Sequence, residues 1–344
     1  MLNRRAFTIS LAASALTGPS FAQGRPFTFC SFGGAGGAAI KTAFMDPISK
    51  KMGQIANVSP TNYSKIKAMV EANAVEWDLV DTGGLFVFQG RNQNLLEKID
   101  YSIIDVSKLP QVWVKEYGLY TFAGATVYAY NKDQMPKGRE PQSWKDFWDI
   151  ASFPGGRTLY SRFYYNYEAA LLAAGVPLSE VYPATDEKVD LAFDKLREIK
   201  PHVKVWWTAG AQPVQLLSTG EVSMALAWSG RVLDVMKENA PVGMSYNEAI
   251  AWGEPFVVPR GTPHRDMAMQ VLKYCISDEA QTAFMNLGVY GPVLPSAAAK
   301  ATPEQAKTFV THPDNMRRAC VMNDEEVAKY VAKNEERWQK FLIS

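Results

Sequence analysis

Apolar positions along this chain alternate between strand-like runs and helix-like stripes. Phe27-Thr28-Phe29-Cys30-Ser31-Phe32 reads as a short buried strand, and a glycine-rich turn, Gly33-Gly34-Ala35-Gly36-Gly37, follows it. Ile40, Ala43, Phe44, Ile48 and Met52 then mark one face of a helix that stops at Gly53, with Pro47 as a kink or restart and Asp46 available as a cap. Ile55-Ala56-Asn57-Val58 predicts a second strand, and residues 64–74 a helix. Trp77-Asp78-Leu79-Val80 predicts a third strand that runs into Asp81-Thr82-Gly83-Gly84. Strand–helix–strand alternation of this kind folds as a parallel sheet with crossover helices.

A second alternating unit occupies the middle of the chain. It begins with an alternating strand at 126–130. Ser143-Trp144-Lys145-Asp146 has the shape of a capping box opening a short helix. Residues 158–160 form a strand, and Val189, Ala192, Phe193, Leu196 and Ile199 a helical stripe that Pro201 ends. Strands at 203–206 and 222–227 bracket a short helix at 213–217 that closes near Gly220. Residues 256–258 read as a strand able to return to the first sheet, followed by helices at 266–275 and 277–287. Thr302-Pro303-Glu304-Gln305 is a capping box with proline at the first helical position. Residues 323–342 form one long amphipathic helix. The fold class is α/β.

The N-terminus changes the picture of where this chain works. Asn3-Arg4-Arg5-Ala6-Phe7 precedes a short apolar stretch at 11–16 and ends in Ser20-Phe21-Ala22. Paired arginines, a short apolar stretch and a small-x-Ala end spell an export signal over residues 1–22, and Arg-Arg-x-Phe favours the twin-arginine route. The working chain then starts near Gln23, outside the bacterial cytoplasm. The apolar stretch falls short of the roughly 20 residues that span a bilayer, and no later run approaches that length, so the mature chain is expected to be soluble.

Composition then narrows the chemistry. After the signal, about 320 residues remain, enough for two domains of ~150 each. Lys and Arg number 36 against 35 Asp and Glu, which argues against nucleic acid as a partner, because phosphate binding needs a clustered basic face. Cys30, Cys275 and Cys320 are far apart and odd in number, so at most one disulfide is open to them. His202, His264 and His312 have no second His or Cys at metal spacing. No Gly-x-Ser-x-Gly elbow is present. Neither a metal, a cofactor nor an enzymatic centre is indicated.

Gly34-Ala35-Gly36-Gly37-Ala38-Ala39 fits the Gly-x-Gly-x-x-Ala spelling of a dinucleotide turn, but the second strand ends at Asn57-Val58-Ser59 without the acidic residue a ribose needs. Free N–H groups at such a turn still suit a carboxylate or carbonyl. Most of the 9 Trp, 15 Tyr and 17 Phe must be core. Some, however, sit at strand ends beside glycine or charge: Trp228-Ser229-Gly230-Arg231, Trp252-Gly253-Glu254-Pro255 and Tyr290-Gly291-Pro292. In α/β sheets such places carry ligand contacts. Trp252 beside Glu254 can hold an ammonium group. The run from Tyr160 to Glu168 concentrates four tyrosines with Arg162, which can pair with a carboxylate.

With these motifs in place, the chain resembles the bacterial extracellular solute-binding proteins, and within them the spermidine/putrescine-binding branch that feeds ABC importers. The likeness covers nearly all the mature chain. It is carried by Ser31-Phe32-Gly33-Gly34, by Pro141-Gln142-Ser143-Trp144-Lys145-Asp146-Phe147-Trp148 with Phe153-Pro154-Gly155, and by the segment from Gly220 to Trp228. The resemblance implies a two-lobed periplasmic binding protein fold of type II, each lobe a mostly parallel sheet flanked by helices, with two hinge crossings. One lobe would join residues 24–127 with 253–298, and the other 128–252 with 299–344.

The same resemblance implies a box of aromatic and acidic residues around the ligand. Trp228, Trp252, Glu254 and Tyr290 match positions of that box, and Phe32 and Gly33 match its first loop. At 160–168 the polyamine binders place acidic residues, whereas Arg162 and Tyr165 stand here. A ligand with one amine and one acidic or carbonyl end therefore suits Arg162 facing Glu254 better than a polycation does. Main-chain N–H groups near Gly33, Gly34, Thr82 and Gly83 would orient it. The expected protein is a monomeric periplasmic receptor that hands a small organic solute to the permease of an ABC transporter. The alternatives are an exported enzyme or a sensor-coupled receptor on a related two-lobed fold.

Overall fold

A single strand of 14 residues, Gly118–Asn131, organises the molecule, and every one of its side chains is buried. In the computed structural model, which describes residues 25–344, this strand runs through the middle of one continuous sheet. Its first half pairs antiparallel with Ile250–Val257, from Leu119 opposite Phe256 to Thr126 opposite Ile250. Its second half pairs antiparallel with Met224–Trp228, from Thr126 opposite Trp228 to Tyr130 opposite Met224. Parallel strands flank this centre. Ile55–Val58, Phe27–Cys30 and Leu79–Asp81 lie on one side, and Arg157–Tyr160 and Val203–Trp207 on the other. The result is a two-lobed α/β fold in which each lobe carries a mixed, mostly parallel sheet. The chain crosses between the lobes in two neighbouring antiparallel strands. The export signal read at residues 1–22 lies outside the described residues.

Helices cover both faces of each half, which is why the central strands are buried along their length rather than on alternate residues. In one half, Phe29, Phe44, Phe122, Phe256 and Phe284 fill one face, and Ile66, Trp77, Phe86 and Val257 the other. In the second half the fillers are Trp144, Phe163, Trp207 and Trp338 on one face, and Val127, Leu217, Ala227 and Val232 on the other. The C-terminal helix Asp324–Ile343 is capped by Asn323, whose side chain accepts the Glu326 N–H. Asp324, Glu325 and Glu326 in its first turn complement the helix dipole. The Thr302–Gln305 capping box forms with both of its reciprocal bonds.

Several elements depart from the pattern reading for local reasons. The helix read from Ile40 to Met52 is built from Gly34–Ile40, a wide π turn Lys41–Met45 and Asp46–Met52. Met45 keeps helical angles, so Asp46 caps nothing, and the wide turn absorbs Pro47 without stopping the helix. Gly53, with φ of 97°, ends it. The strands expected at 126–130 and 256–258 are the ends of much longer ones, because interior Gly, Thr and Pro broke the apolar run that marks a strand. Of two helices that the pattern did not mark, Ser229–Lys237 starts directly at the end of a strand and Gly84–Asn92 after two intervening residues. The three cysteines are buried free thiols, with Cys275 and Cys320 in different cores. Among the described residues no helix is long and apolar enough to cross a membrane.

Candidate ligand cleft between the lobes

Where the two strand systems meet, the carboxyl ends of several strands open onto one cavity of about 390 Å³. Each end delivers a side chain. Phe32 and Gly33 follow the first strand, Asp81 ends the third, Tyr160 ends Arg157–Tyr160, and Trp228 ends Met224–Trp228. Glu254 comes from the middle of a crossing strand. A register irregularity between Glu254 and Pro255 turns the backbone there, as bulges beside binding sites commonly do. Tyr290 enters from the segment before Gly291–Pro292.

The walls are mainly aromatic and brace one another. Tyr290 stacks on Phe122 at 5.5 Å between centroids and meets Trp252 edge-on at 5.7 Å. Trp228 stands edge-on to Trp207 at 5.3 Å and to Tyr160 at 6.2 Å. The Trp252 indole lies across the crossing strand because residue 124 is glycine; a Cβ there would run into the ring. Its Nε1–H donates to Thr126 Oγ1 at 3.2 Å, which fixes the ring.

Three buried polar atoms on residues that line the cleft have no partner among the described residues: Asp81 Oδ1, Glu254 Oε2 and Trp228 Nε1. Buried polar groups are normally satisfied, and a buried carboxylate without a counter-charge is costly. Burial pushes the Asp81 carboxyl up to about 8, against the pull of the Phe32 main-chain N–H. Burial first, and then the neighbouring Asp81 and Asp324 charges, hold Glu254 well above the usual carboxylate range. Arg231 lines the cavity together with Asp234, its guanidinium close to Gly34, and forms no ion pair within 4.0 Å among the described residues. The cleft thus offers acid groups that lack a cation, and an indole N–H and a guanidinium that can take an anion.

The structure gathers most of the residues singled out from the sequence. Phe32, Gly33, Gly83, Tyr165, Trp228, Trp252, Glu254 and Tyr290 line this cavity. Arg162, Gly34 and Thr82 do not. Arg162 precedes the helix Phe163–Ala173, is exposed, and borders an adjoining cavity of about 400 Å³. Gly34 touches the cleft only indirectly, close to the Arg231 guanidinium. The Thr82 N–H and hydroxyl both donate to Pro255 O, so neither is free for a ligand. The Gly33 N–H donates to Ser31 Oγ at 3.2 Å and the Gly83 N–H to the Tyr63 hydroxyl at 3.0 Å. Asp81, Arg231, Tyr63 and Phe122 were not singled out. Asp81 and Arg231 stood within quoted motifs, and their positions, just before a glycine turn and just after Gly230, were the available signal.

Comparison with known proteins places this geometry in a family. Residues 51–311 match the bacterial extracellular solute-binding protein family. The chain is 32% identical, over 92% of its length and 91% of the relative's, to the gamma-aminobutyric acid-binding protein of Pseudomonas aeruginosa. An ABC transporter substrate-binding protein from Bradyrhizobium japonicum USDA 110 superposes with a TM-score of 0.86 at 36% identity, over 92% of this chain and 99% of that one. The solute-binding protein MotA from A. tumefaciens B6, solved with glucopine, does so with a TM-score of 0.82 at 30% identity, over 92% and 99%. The chain belongs to the bacterial extracellular solute-binding proteins, and it serves an ABC transporter by binding a small solute for the permease rather than as an enzyme.

Proposed function

We propose that this protein captures a small amino acid whose amine and carboxylate lie at opposite ends, of the γ-aminobutyrate type, in the interlobe cleft. The observation that carries this reading is the pairing of partnerless acid oxygens on Asp81 and Glu254 with the partnerless Trp228 Nε1–H and the nearby Arg231. Asp81 and Glu254 take the ammonium, Trp228 and Arg231 the carboxylate, and Trp252, Tyr290, Phe32 and Tyr165 enclose the methylene chain. The reading agrees with the ligand named for the Pseudomonas relative.

The protein works in the periplasm as a monomer without nucleic-acid partners. Residues 24–127 with 253–298 form one lobe and 128–252 with 299–344 the other. Ligand touches both only when they are closed, and this difference drives closure by population shift. Calorimetry with γ-aminobutyrate, butyrate and putrescine tests the reading. γ-Aminobutyrate should bind at least tenfold more tightly than butyrate, which lacks the ammonium, or putrescine, which lacks the carboxylate. Preference for putrescine, or no binding of γ-aminobutyrate, rejects it.

A further inference from the structure

The helix Phe163–Ala173 is broken near its start. Tyr164 adopts φ −64° and ψ 153°, and Tyr165 φ 68° and ψ −41°. A bulky residue in the left-handed region is a genuine outlier, and such outliers persist only where the surroundings impose them. Tyr165 is also a wall of the cleft, 5.9 Å from Tyr160 and 4.8 Å from Tyr164 between ring centroids. The distortion therefore sits on a residue that faces the ligand space.

Beside this break lies the fully buried carboxylate of Glu168. One oxygen accepts the Tyr165 N–H at 2.6 Å. The other accepts the Tyr182 hydroxyl at 2.6 Å and the Tyr330 hydroxyl, from the C-terminal helix, at 2.7 Å. With the helix resuming at Asn166, Tyr165 stands at the N-cap position and Glu168 three residues on. The first bond is then the reach-back half of a capping box, made by a residue that also anchors two other segments. Asn166, fully buried as well, ties the same turn by donating to Tyr160 O at 2.6 Å and Arg162 O at 2.7 Å. Glu168 lines neither of the two cavities described above and does not reach the ligand space itself.

We propose that Glu168 is a positioning residue for ligand capture: it holds Tyr165 in its left-handed conformation and so sets the shape of the cleft wall. The proposal rests on the cleft being the ligand site, and it makes the C-terminal helix, through Tyr330, a support of the site. Two side chains of similar volume separate the role from mere packing. Glu168→Gln keeps an oxygen able to accept the Tyr165 N–H, and its amide can donate to the tyrosine hydroxyls once they rotate. Glu168→Met keeps the volume and accepts only weakly.

Dissociation constants for γ-aminobutyrate are measured by calorimetry on the mature chain, with thermal unfolding followed in parallel. Glu168→Gln should stay within about threefold of wild type, and Glu168→Met should weaken binding at least tenfold. Tyr165→Ala should weaken it similarly, and the double variant Tyr165→Ala/Glu168→Met no more than Tyr165→Ala alone, because Glu168 acts through that side chain. A folded Glu168→Met with wild-type affinity, or a cost that adds fully to that of Tyr165→Ala, overturns the proposal. A measurement on the wild type needs neither ligand nor variant. The Tyr165 amide proton, read by NMR with 15N-tyrosine labelling, should resonate far downfield and exchange slowly. An ordinary shift with fast exchange overturns the proposal, whereas failure of the wild type to bind γ-aminobutyrate strikes only the ligand assignment.

Discussion

Raising the pH from 6 to 8 should tighten capture of an ammonium ligand, and the reason lies in Asp81. In the empty cleft burial holds its carboxyl up at about 8, with Glu254 beside it also raised. An ammonium group binds the ionised acid, so at lower pH binding must first expel a proton. A carboxyl held up near 8 is mostly protonated at pH 6, and at about 1.4 kcal/mol per pH unit expelling that proton costs on the order of 2–3 kcal/mol of binding energy. Because the two acids titrate as a pair, the observable is the number of protons released rather than one site's value. An alkyl ammonium stays charged throughout this range. The assay is calorimetry of γ-aminobutyrate binding between pH 6 and 8, in buffers of different ionisation enthalpy. The expected result is a dissociation constant falling tenfold or more, with close to one proton released per ligand at the acid end. A constant flat within twofold, with heats independent of buffer, would refute the reasoning.

The same carboxyl has a signature in stability without ligand. An unfolded Asp ionises near 3.9 and the folded one near 8, so the folded chain keeps a proton that the unfolded chain loses, and stability from this group falls as pH rises through that window. Asp81→Asn should therefore melt above wild type by an amount that grows between pH 5 and 8; a constant gap in scanning calorimetry would contradict this. Arg231→Ala should weaken γ-aminobutyrate binding at least tenfold, whereas Arg162→Ala should change it less than threefold, both by calorimetry; the reverse order would make Arg162 the carboxylate partner. Trp228→Ala should cost about 1–3 kcal/mol of binding without unfolding the protein, the scale of a lost buried anchor. Asp78, fully buried and bonded to Arg25, Thr28 and Thr262, lies outside the cleft. Asp78→Ala should cost about 1–3 kcal/mol in urea unfolding, because it leaves the Thr28 N–H and the buried Thr262 hydroxyl without their acceptor, and should leave ligand affinity unchanged.

Much of this arrangement was legible without coordinates. The alternation of apolar runs and stripes marks α/β halves because a strand covered on both faces must be apolar throughout and a covering helix on one side only. Trp228, Trp252, Glu254 and Tyr290 stood out because they sit beside glycine where strand ends were read, and all four line the cleft, although Trp252 and Glu254 lie within the strand Ile250–Val257 rather than at its end. Local signals at Gly53, Asn323 and Thr302 mark their helix ends because a left-handed turn or a side-chain cap needs only its immediate neighbours.

Long-range register decided what the sequence left open. Asp81 and Glu254 become one acidic pocket only because Leu79–Asp81 pairs antiparallel with Ile250–Val257, placing Asp81 opposite Phe256, while the irregularity at Glu254 and Pro255 aims the glutamate inward. No local period encodes such a pairing. Which arginine faces the cleft is likewise a tertiary outcome. Arg162 sits ahead of a backbone break beside Glu168, which takes donors from Tyr182 and Tyr330, and Arg231 lies in the first turn of a helix that starts at the cleft. Composition and periodicity specify which residues are buried and in what kind of element. Which of them meet depends on hydrogen bonds and packing between segments far apart in the chain, and these exist only once the chain has folded.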